Sequence, residues 1–496
     1  MSVPLTPTVA TGHPRVTATA VEVLRRGGNA FDAVVAAGFM GAVAEPLLTS
    51  LGGGGFLQVH TPGETVLVDF FVDTPGRGLP PEGTAEPHFE AVTIHFPAAD
   101  QVFNIGRGSV AVPGCLAGYV EVHRRFGRLP LTEVVAPAAT AADRGVEVTP
   151  QTAYLASLLA PIIGHTADSR RIFLPGGHLP RVGDLMTNPD LSMFLAELVS
   201  DPDLARSGFG HPALADRIES DMVAGGGLLT SEDLDAYRVV DREPLGVGFE
   251  GCSVLTNPGP SFGGSLMALG LRLLAEELDG APWGSPAQAE ALVRSMIRVD
   301  RIRGQGGSEE VTERLRSSGG TTQMTVADAE GNVASMTTSN GEGSSYVVPG
   351  TGVMLNNMLG EADLHPDGFH SAPPGERVSS MMAPSVVLDG DGEVLMALGS
   401  GGSKRIRTAL VQVVAAVIVG GRSLERAVLA PRLHWDGDVV QMEPGFAPEV
   451  VETLRRQWPV NVWPQTNMYF GGVHAVAPGR EAVGDPRRGG SARIGL

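Results

Sequence analysis

Residues 321–340, "TTQMTVADAEGNVASMTTSN", alternate in character on either side of the turn signal "DAEGN", which predicts two strands joined in a hairpin. "PSVVLDGDGEVLMALGS" (384–400) repeats the pattern around "DGDGE" and predicts a second hairpin. Elsewhere the period is helical. "TATAVEVLRRGGNAFDAVVAAGFMGAVAEP" predicts a helical pair over 15–45, broken at Gly27-Gly28-Asn29. "SLGGGGFLQVH" leads into a strand, and "TVLVDFF" gives another after the turn "TPGE". The stretch from about Thr74 to Arg107, rich in proline and glycine, predicts an ordered loop. "LAGYVEVHRRFG", "LTEVVAPAATAADRG" and "TAYLASLLAPIIG" predict helices, and residues 177–245 alternate short helices with loops. "PAQAEALVRSMIRVDRIRG" predicts an amphipathic helix running into a polar, glycine-bearing stretch, Gly304 to Gly320, and "RIRTALVQVVAAVIVGG" returns to helix. Helices at both ends with sheet between predict helix–sheet–sheet–helix layers. No internal repeat or low-complexity tract interrupts this order.

Composition narrows the function classes. The chain has 496 residues, 43% hydrophobic and 18% charged, as expected of a folded protein. A net charge of −19 argues against nucleic acid or an anionic membrane surface as partner. Cys115 and Cys252 are isolated, with no CxxC, His/Cys cluster or HExxH, so zinc and redox chemistry have no support in the sequence. Lys404 is the only lysine, a composition bias to which no function attaches. The N-terminal "MSVPLTPTVATGHPRVTA" lacks a basic segment followed by an apolar one, and the longest apolar run, "ALVQVVAAVIVGG", is too short to span a bilayer. A cytoplasmic protein without a signal peptide is expected.

The chemistry concentrates at Gly320-Thr321. Threonine is a weak nucleophile unless a base adjoins it; an N-terminal threonine carries that base as its own α-amine. The amine's reference pKa of about 7.7–8.0 leaves a useful fraction neutral near pH 7. Such a residue requires cutting just before it. Ser317-Ser318-Gly319-Gly320 suits a cleavage point, since Gly320 leaves room for attack on its own carbonyl. The local pattern alone favours an ordinary loop entering a strand.

The rest of the chain shifts that balance. "TTQMTVADAEGNVASMTTSN" followed by "VVPGTGVMLNNMLGE" resembles the start of the small subunit of γ-glutamyltransferases, which are N-terminal nucleophile hydrolases. "GGNAFDAVVAAGFMGAVAEP" with "SLGGGGF" resembles the start of the large subunit, and "RVSSMMAPSVVL", "LGSGGSKRIRTALVQ" and "GDPRRGG" follow in the family's order. The resemblance covers nearly the whole chain. It implies an α+β fold, the four-layer αββα sandwich, in which residues 1–320 and 321–496 form a large and a small subunit region of one intertwined domain. It implies self-cleavage between Gly320 and Thr321 with Thr321 as nucleophile, a heterodimer of the two fragments or a higher assembly of it, and no metal or organic cofactor. Ser339 falls on the hydroxyl that bonds the nucleophile from the next strand, and Asn340, with a one-residue gap, on an asparagine just beyond. Ser379 and Ser380 fall on the pair that helps hold the glutamyl α-carboxylate, and Glu361 on the acid that binds the α-amino group, Asp363 being a nearby alternative. The oxyanion glycines match Gly401 and Gly402, with Gly402-Ser403 left open. "LGGGGF" lacks the Gly-Lys-Ser/Thr ending of a phosphate loop and reads as backbone packing.

One departure bears on substrate. Relatives that use glutathione carry an arginine after "DF" to pair with the α-carboxylate; here Phe71 stands there, and phenylalanine cannot replace a bidentate cation. Arg77, six residues on, is a candidate for compensation. The resemblance thus implies transfer of the acyl group of a small γ-glutamyl amide, other than glutathione, to water or an amine. Two alternatives stay open: an acylase or amidase of the same fold acting on a non-glutamyl acyl group, or an unprocessed relative without catalysis.

Overall fold

The computed structural model describes residues 4–80, 87–95, 100–305, 320–365 and 368–496. Most of the glycine-bearing stretch before Gly320, including Ser317-Ser318-Gly319, lies outside them. Two sheets face each other. The first has seven strands in the order β13 (Ser491–Ile494), β1 (Thr8–Thr11), β7 (Thr321–Ala327), β8 (Val333–Ser339), β2 (Gly54–His60), β3 (Thr65–Phe70) and β4 (Val240–Arg242). The second has six: β12 (Glu481–Val483), β11 (Gly472–Ala477), β10 (Val394–Gly401), β9 (Ser385–Leu388), β6 (Cys252–Thr256) and β5 (Leu245–Phe249).

Helices cover both outer faces. Against the first sheet lie α1 (Pro14–Arg25), α2 (Ala30–Ala44), α3 (Cys115–Phe126) and α4 (Leu131–Arg144), with Val9, Leu57, Met324 and Met336 of the sheet in their core. Against the second lie α5 (Phe262–Leu278), α6 (Pro286–Gln305) and α7 (Arg405–Ile418), which bury Val254, Val387, Met396 and Leu398. Ala10, Ala327, Val333, Val386, Ala397 and Val476 pack between the sheets. This is the four-layer αββα sandwich that the sequence implies.

Helix α2 shows why the sequence folds this way. It is apolar all round and every one of its residues is buried, as befits a central helix. Asn29, at the predicted break, caps it in a capping box with Asp32. Its first N–H bonds Asp328 Oδ2 at 2.9 Å, and Asp328 also holds the β7–β8 turn through Glu330 and Asn332. One buried aspartate therefore fixes the hairpin against the helix.

Both predicted hairpins form. The supposed loop from Thr74 to Arg107 instead contains a two-stranded hairpin, Glu90–His95 with Asp100–Ile105. Its inward side chains Ile94, Phe103 and Ile105 pack into a small satellite core beside Leu47 and Leu48, so tertiary burial overrides the surrounding proline and glycine content. The helical run at 152–164 divides into Pro150–Leu158 and Ala160–Ile163, with Pro161 in the first turn of the second piece. The glycine run of "SLGGGGF" serves packing: a Cβ on Gly53 would lie 2.2 Å from the Ser339 carbonyl oxygen, and one on Gly55 2.6 Å from that of Thr337. Cys115 is buried, and burial pushes its thiol up to about 12, leaving it an inert core residue.

Candidate active site

Thr321 opens β7 and lies directly opposite Ser339, the last residue of β8. Directly opposed strand residues bring their side chains close enough to interact, and these two hydroxyls meet at 3.4 Å. The Thr321 hydroxyl donates to Ser339 Oγ. Ser339 Oγ accepts a second bond, from the Gly341 N–H at 3.0 Å, and donates its own proton to the carbonyl oxygen of Gly320. The Thr321 hydroxyl proton thus points to a serine whose own proton points to the Gly320 carbonyl. The Gly320 N–H donates to Glu342 Oε1 at 3.0 Å, and the Thr321 carbonyl accepts from Arg488 Nη1 at 3.3 Å. Gly320 is sterically required: a Cβ there would lie 2.4 Å from the Gly341 carbonyl oxygen.

A cleft of about 30 Å³, room for a single water, opens beside these hydroxyls. Its apolar lining is Phe71, Met358, Leu364, Met381, Met382 and Ile406; Thr321, Ser339, Glu361, Ser380 and Ser403 complete it. Phe71 is 1% exposed and stacks on Phe56 with ring centroids 5.4 Å apart. Its carbonyl accepts from Tyr237 Oη at 2.7 Å and from Arg377. Arg377 also pairs with Asp73 at 3.1 Å and Asp69 at 3.6 Å, so that guanidinium is committed to holding the chain. Arg77 is outside the cleft lining, its backbone N–H bonded to Asp233. No side chain in the lining is a cation.

Buried titratable groups lie around Thr321 and Thr322. Burial raises Glu342 to about 8 and Glu45 to about 7, each partly offset by Arg488. Glu45 accepts the Thr322 hydroxyl at 3.0 Å. Arg488 is lowered to about 10, first by burial and then by Arg405. It is seated by neighbouring ion pairs: Arg432 with Asp485 at 2.6 Å, and Arg487 with Glu443 at 2.5 Å. Glu361 is held well above the ordinary carboxylate range by burial, by Glu342 and by Asp363. The residue as a whole is only partly buried, yet its Oε1 is shut off from solvent and has no hydrogen-bond partner among the described residues.

The structure gathers Thr321, Ser339, Glu361 and Ser380 around one cleft, with Gly320 at its edge. Asn340 and Ser379 stand outside the lining: Asn340 Nδ2 reaches the Met354 carbonyl at 3.4 Å, and Ser379 Oγ donates to the Leu364 carbonyl at 2.7 Å. Gly401 belongs to β10 and pairs with Gly472, its Cα so close to Thr321 that a Cβ would lie 2.3 Å from the Thr321 carbonyl oxygen. Gly402 and Ser403 turn off the strand with φ of +126° and +50°, and Ser403 lines the cleft. Asp363 accepts from Ser403 Oγ at 2.9 Å and lies 3.9 Å from Lys404. The sequence reading left Glu342, Glu45 and Arg488 without roles. The glycines flanking Glu342 and the double arginine of "GDPRRGG" were the available signals. The methionines of the apolar wall carried no signal of their own.

A threonine and a serine facing each other across adjacent strands, at the rim of a four-layer sandwich, define the N-terminal nucleophile hydrolase architecture. The chain belongs to the γ-glutamyltranspeptidase family, whose model matches residues 16–305 and 298–495. It is 32% identical to the Acylase ACY 1 proenzyme of Pseudomonas sp. (strain SE83), over 90% of this chain and 85% of that protein. It is 28% identical to the glutathione hydrolase proenzyme of Escherichia coli (strain K12), over 90% and 84%. The crystal structure of cephalosporin acylase from Bacillus halodurans superimposes with a TM-score of 0.79 at 25% identity, covering 99% of this chain and 96% of that one. Among the described residues, no group of three or more His, Cys, Asp or Glu side chains is placed to hold a metal ion, and no helix is long and apolar enough to cross a membrane.

Proposed function

We propose that the chain cuts itself between Gly320 and Thr321, and that the freed threonine then takes acyl groups from amides and passes them to water or an amine. The observation that carries this is the hydroxyl chain from Thr321 through Ser339 to the Gly320 carbonyl. Thr321 Oγ adds to the Gly320 carbonyl carbon while its proton moves to Ser339 and the Ser339 proton moves to the carbonyl oxygen. The carbon–nitrogen bond then breaks as the proton on the former carbonyl oxygen passes to the nitrogen, the carbonyl re-forms, and an ester joins Gly320 to the Thr321 oxygen. Water hydrolyses that ester, releasing the Gly320 carboxyl and restoring the hydroxyl beside a new α-amine.

In turnover the amine accepts the Thr321 hydroxyl proton as Oγ attacks the substrate amide, then gives it to the departing amine. The backbone N–H groups at the Gly401-Gly402-Ser403 turn, where β10 ends and Ser403 lines the cleft, would hold the oxyanion. Donors of that kind contribute roughly 3–4 kcal/mol each. Phe71 and the methionine wall favour an acyl group without a free α-carboxylate, and the acylase relative at 32% identity supports that preference. The γ-glutamyl reading keeps specific support of its own, because Ser380 and Glu361 line the same cleft.

Denaturing electrophoresis with fragment masses tests the cut. Fragments of 320 and 176 residues are expected (496 − 320 = 176), and Thr321→Ala should leave one full-length band. A wild-type chain that stays whole on long incubation would mark a non-catalytic relative. Pentanoyl and hexanoyl p-nitroanilides, which carry no carboxylate, should exceed γ-glutamyl-p-nitroanilide in kcat/KM by about tenfold, the worth of one well-placed polar contact. The reverse order would restore the γ-glutamyl reading.

A further inference from the structure

The Gly320–Thr321 junction is gripped at three points, and two of the three, through Arg488 and Glu342, have no part in the steps above; only Glu342 holds Gly320 itself. Ser339 takes the Gly320 carbonyl, Arg488 takes the Thr321 carbonyl, and Glu342 Oε1 takes the Gly320 N–H at 3.0 Å. Glu342 is 3% exposed. It reaches inward from a turn whose flanking residues, Gly341 at φ +61° and Gly343 at φ +84°, hold backbone conformations that favour glycine. Asn357 Oδ1 fastens that turn by accepting the Glu342 N–H at 2.8 Å. The turn is closely seated: a Cβ on Gly341 would lie 2.1 Å from Asn357 Oδ1 and 2.3 Å from Glu361 Oε1. Gly320, by contrast, is the residue type with the greatest backbone freedom, and its carbonyl can face the Thr321 hydroxyl only if its peptide planes are fixed from outside.

We infer that Glu342 is a positioning residue for self-cleavage. By accepting the Gly320 N–H it locks the glycine so that its carbonyl carbon is presented to Thr321 Oγ. The inference rests on the self-cleavage reading given above. Glu342 exchanges no proton in the step: the Oγ–carbon bond forms, the carbon–nitrogen bond to Thr321 breaks, and the Gly320 N–H stays on Glu342 throughout. Burial keeps Glu342 largely protonated near neutrality, so its carbonyl oxygen does the accepting. Reach then matters and charge does not. An amide of equal length should serve, whereas a carboxylate one methylene shorter should not.

The test follows the rate at which freshly synthesised full-length chain is cut, on denaturing gels at pH 7. Glu342→Gln should cut within about threefold of wild type, while Glu342→Asp and Glu342→Ala should each be slower by about tenfold or more, the worth of one buried hydrogen bond. Thermal unfolding of each variant in a Thr321→Ala background establishes that it is folded, and if the alanine variant is not, the Gln/Asp pair decides. Asp as fast as wild type with Gln slow would make charge the active property and overturn the inference, as would equal rates in all three. A wild-type chain that never cuts overturns the parent reading and this inference with it; wild-type cutting matched by folded Glu342→Ala overturns this inference alone.

Discussion

The two walls of the cleft are built on opposite plans. The Thr321 wall comes from one hairpin: β7 and β8 set Thr321 opposite Ser339 by strand register, and the next few residues supply Gly341 and Glu342. It is polar and bonded at every step. The recognition wall comes from four distant segments, contributing Phe71, then Met358 with Leu364, then Ser380 to Met382, then Ser403 with Ile406. It is mostly apolar, and its one acid, Glu361, is held well above the ordinary carboxylate range by burial. On the proposed function, the chemistry would be fixed by a local ladder and the acyl choice assembled from segments that can change one at a time.

Breaking the first wall should have the largest effect. Ser339→Ala removes the partner of both Thr321 Oγ and the Gly320 carbonyl, so cutting should slow on the order of 100-fold, about 3 kcal/mol for two lost bonds. Ser339→Thr keeps the hydroxyl and should stay within about threefold, less than the worth of one bond. Rates from timed gels decide, and an alanine variant that cuts normally would separate Ser339 from the reaction.

The second wall should respond less, and differently. Phe71→Arg places a cation in a lining whose one acid is Glu361, and the two should pair, the cation favouring the charged form of that carboxyl. Uncharged acyl amides should then lose about tenfold in kcat/KM, while γ-glutamyl-p-nitroanilide gains no more than about threefold, because the new charge is already spent on Glu361. A hundredfold gain with the γ-glutamyl amide would show that one residue separates the two substrate classes.

The smallest effect concerns stability. Glu45 at about 7 and Glu342 at about 8 lie above their ordinary 4.5, so the unfolded chain gives up these protons first and stability falls as pH rises through that window. His13 and His474, lowered to about 4 from 6.5, act with the opposite sign, but only below 6.5. Between pH 6.5 and 8 the carboxyls remain, and the uncut Thr321→Ala chain should lose on the order of 1–2 kcal/mol in urea titrations. Adding Glu342→Gln should flatten that slope; a slope unchanged by it would assign the effect elsewhere.

The same contrast explains what the sequence revealed. The β7–β8 pair, the "GGN" break and the second hairpin were legible because each depends on short-range pattern: alternation, a cap, a turn. The hairpin at 90–105 escaped because its alternating runs are brief and its stability comes from burial against Leu47 and Leu48. Helix α5 escaped because it begins with Gly263 and Gly264, required where a Cβ would lie 2.1 Å from the carbonyl oxygens of Met381 and Asn257 respectively. Ser380 and Glu361 were found by family order. Arg488 and Glu342 act through contacts that no spacing rule describes.

The strand order of the first sheet has a mechanical consequence. Ser491–Ile494, Thr321–Ala327 and Val333–Ser339 follow residue 320, whereas Thr8–Thr11, Gly54–His60, Thr65–Phe70 and Val240–Arg242 precede it, and the two sets interleave in the sheet, meeting at three places. A break after residue 320 would therefore leave each piece stitched into the other along three antiparallel seams, with a fourth between Cys252–Thr256 and Ser385–Leu388. Pulling the pieces apart would mean unzipping both sheets, so the severed polypeptide needs no tether to stay whole.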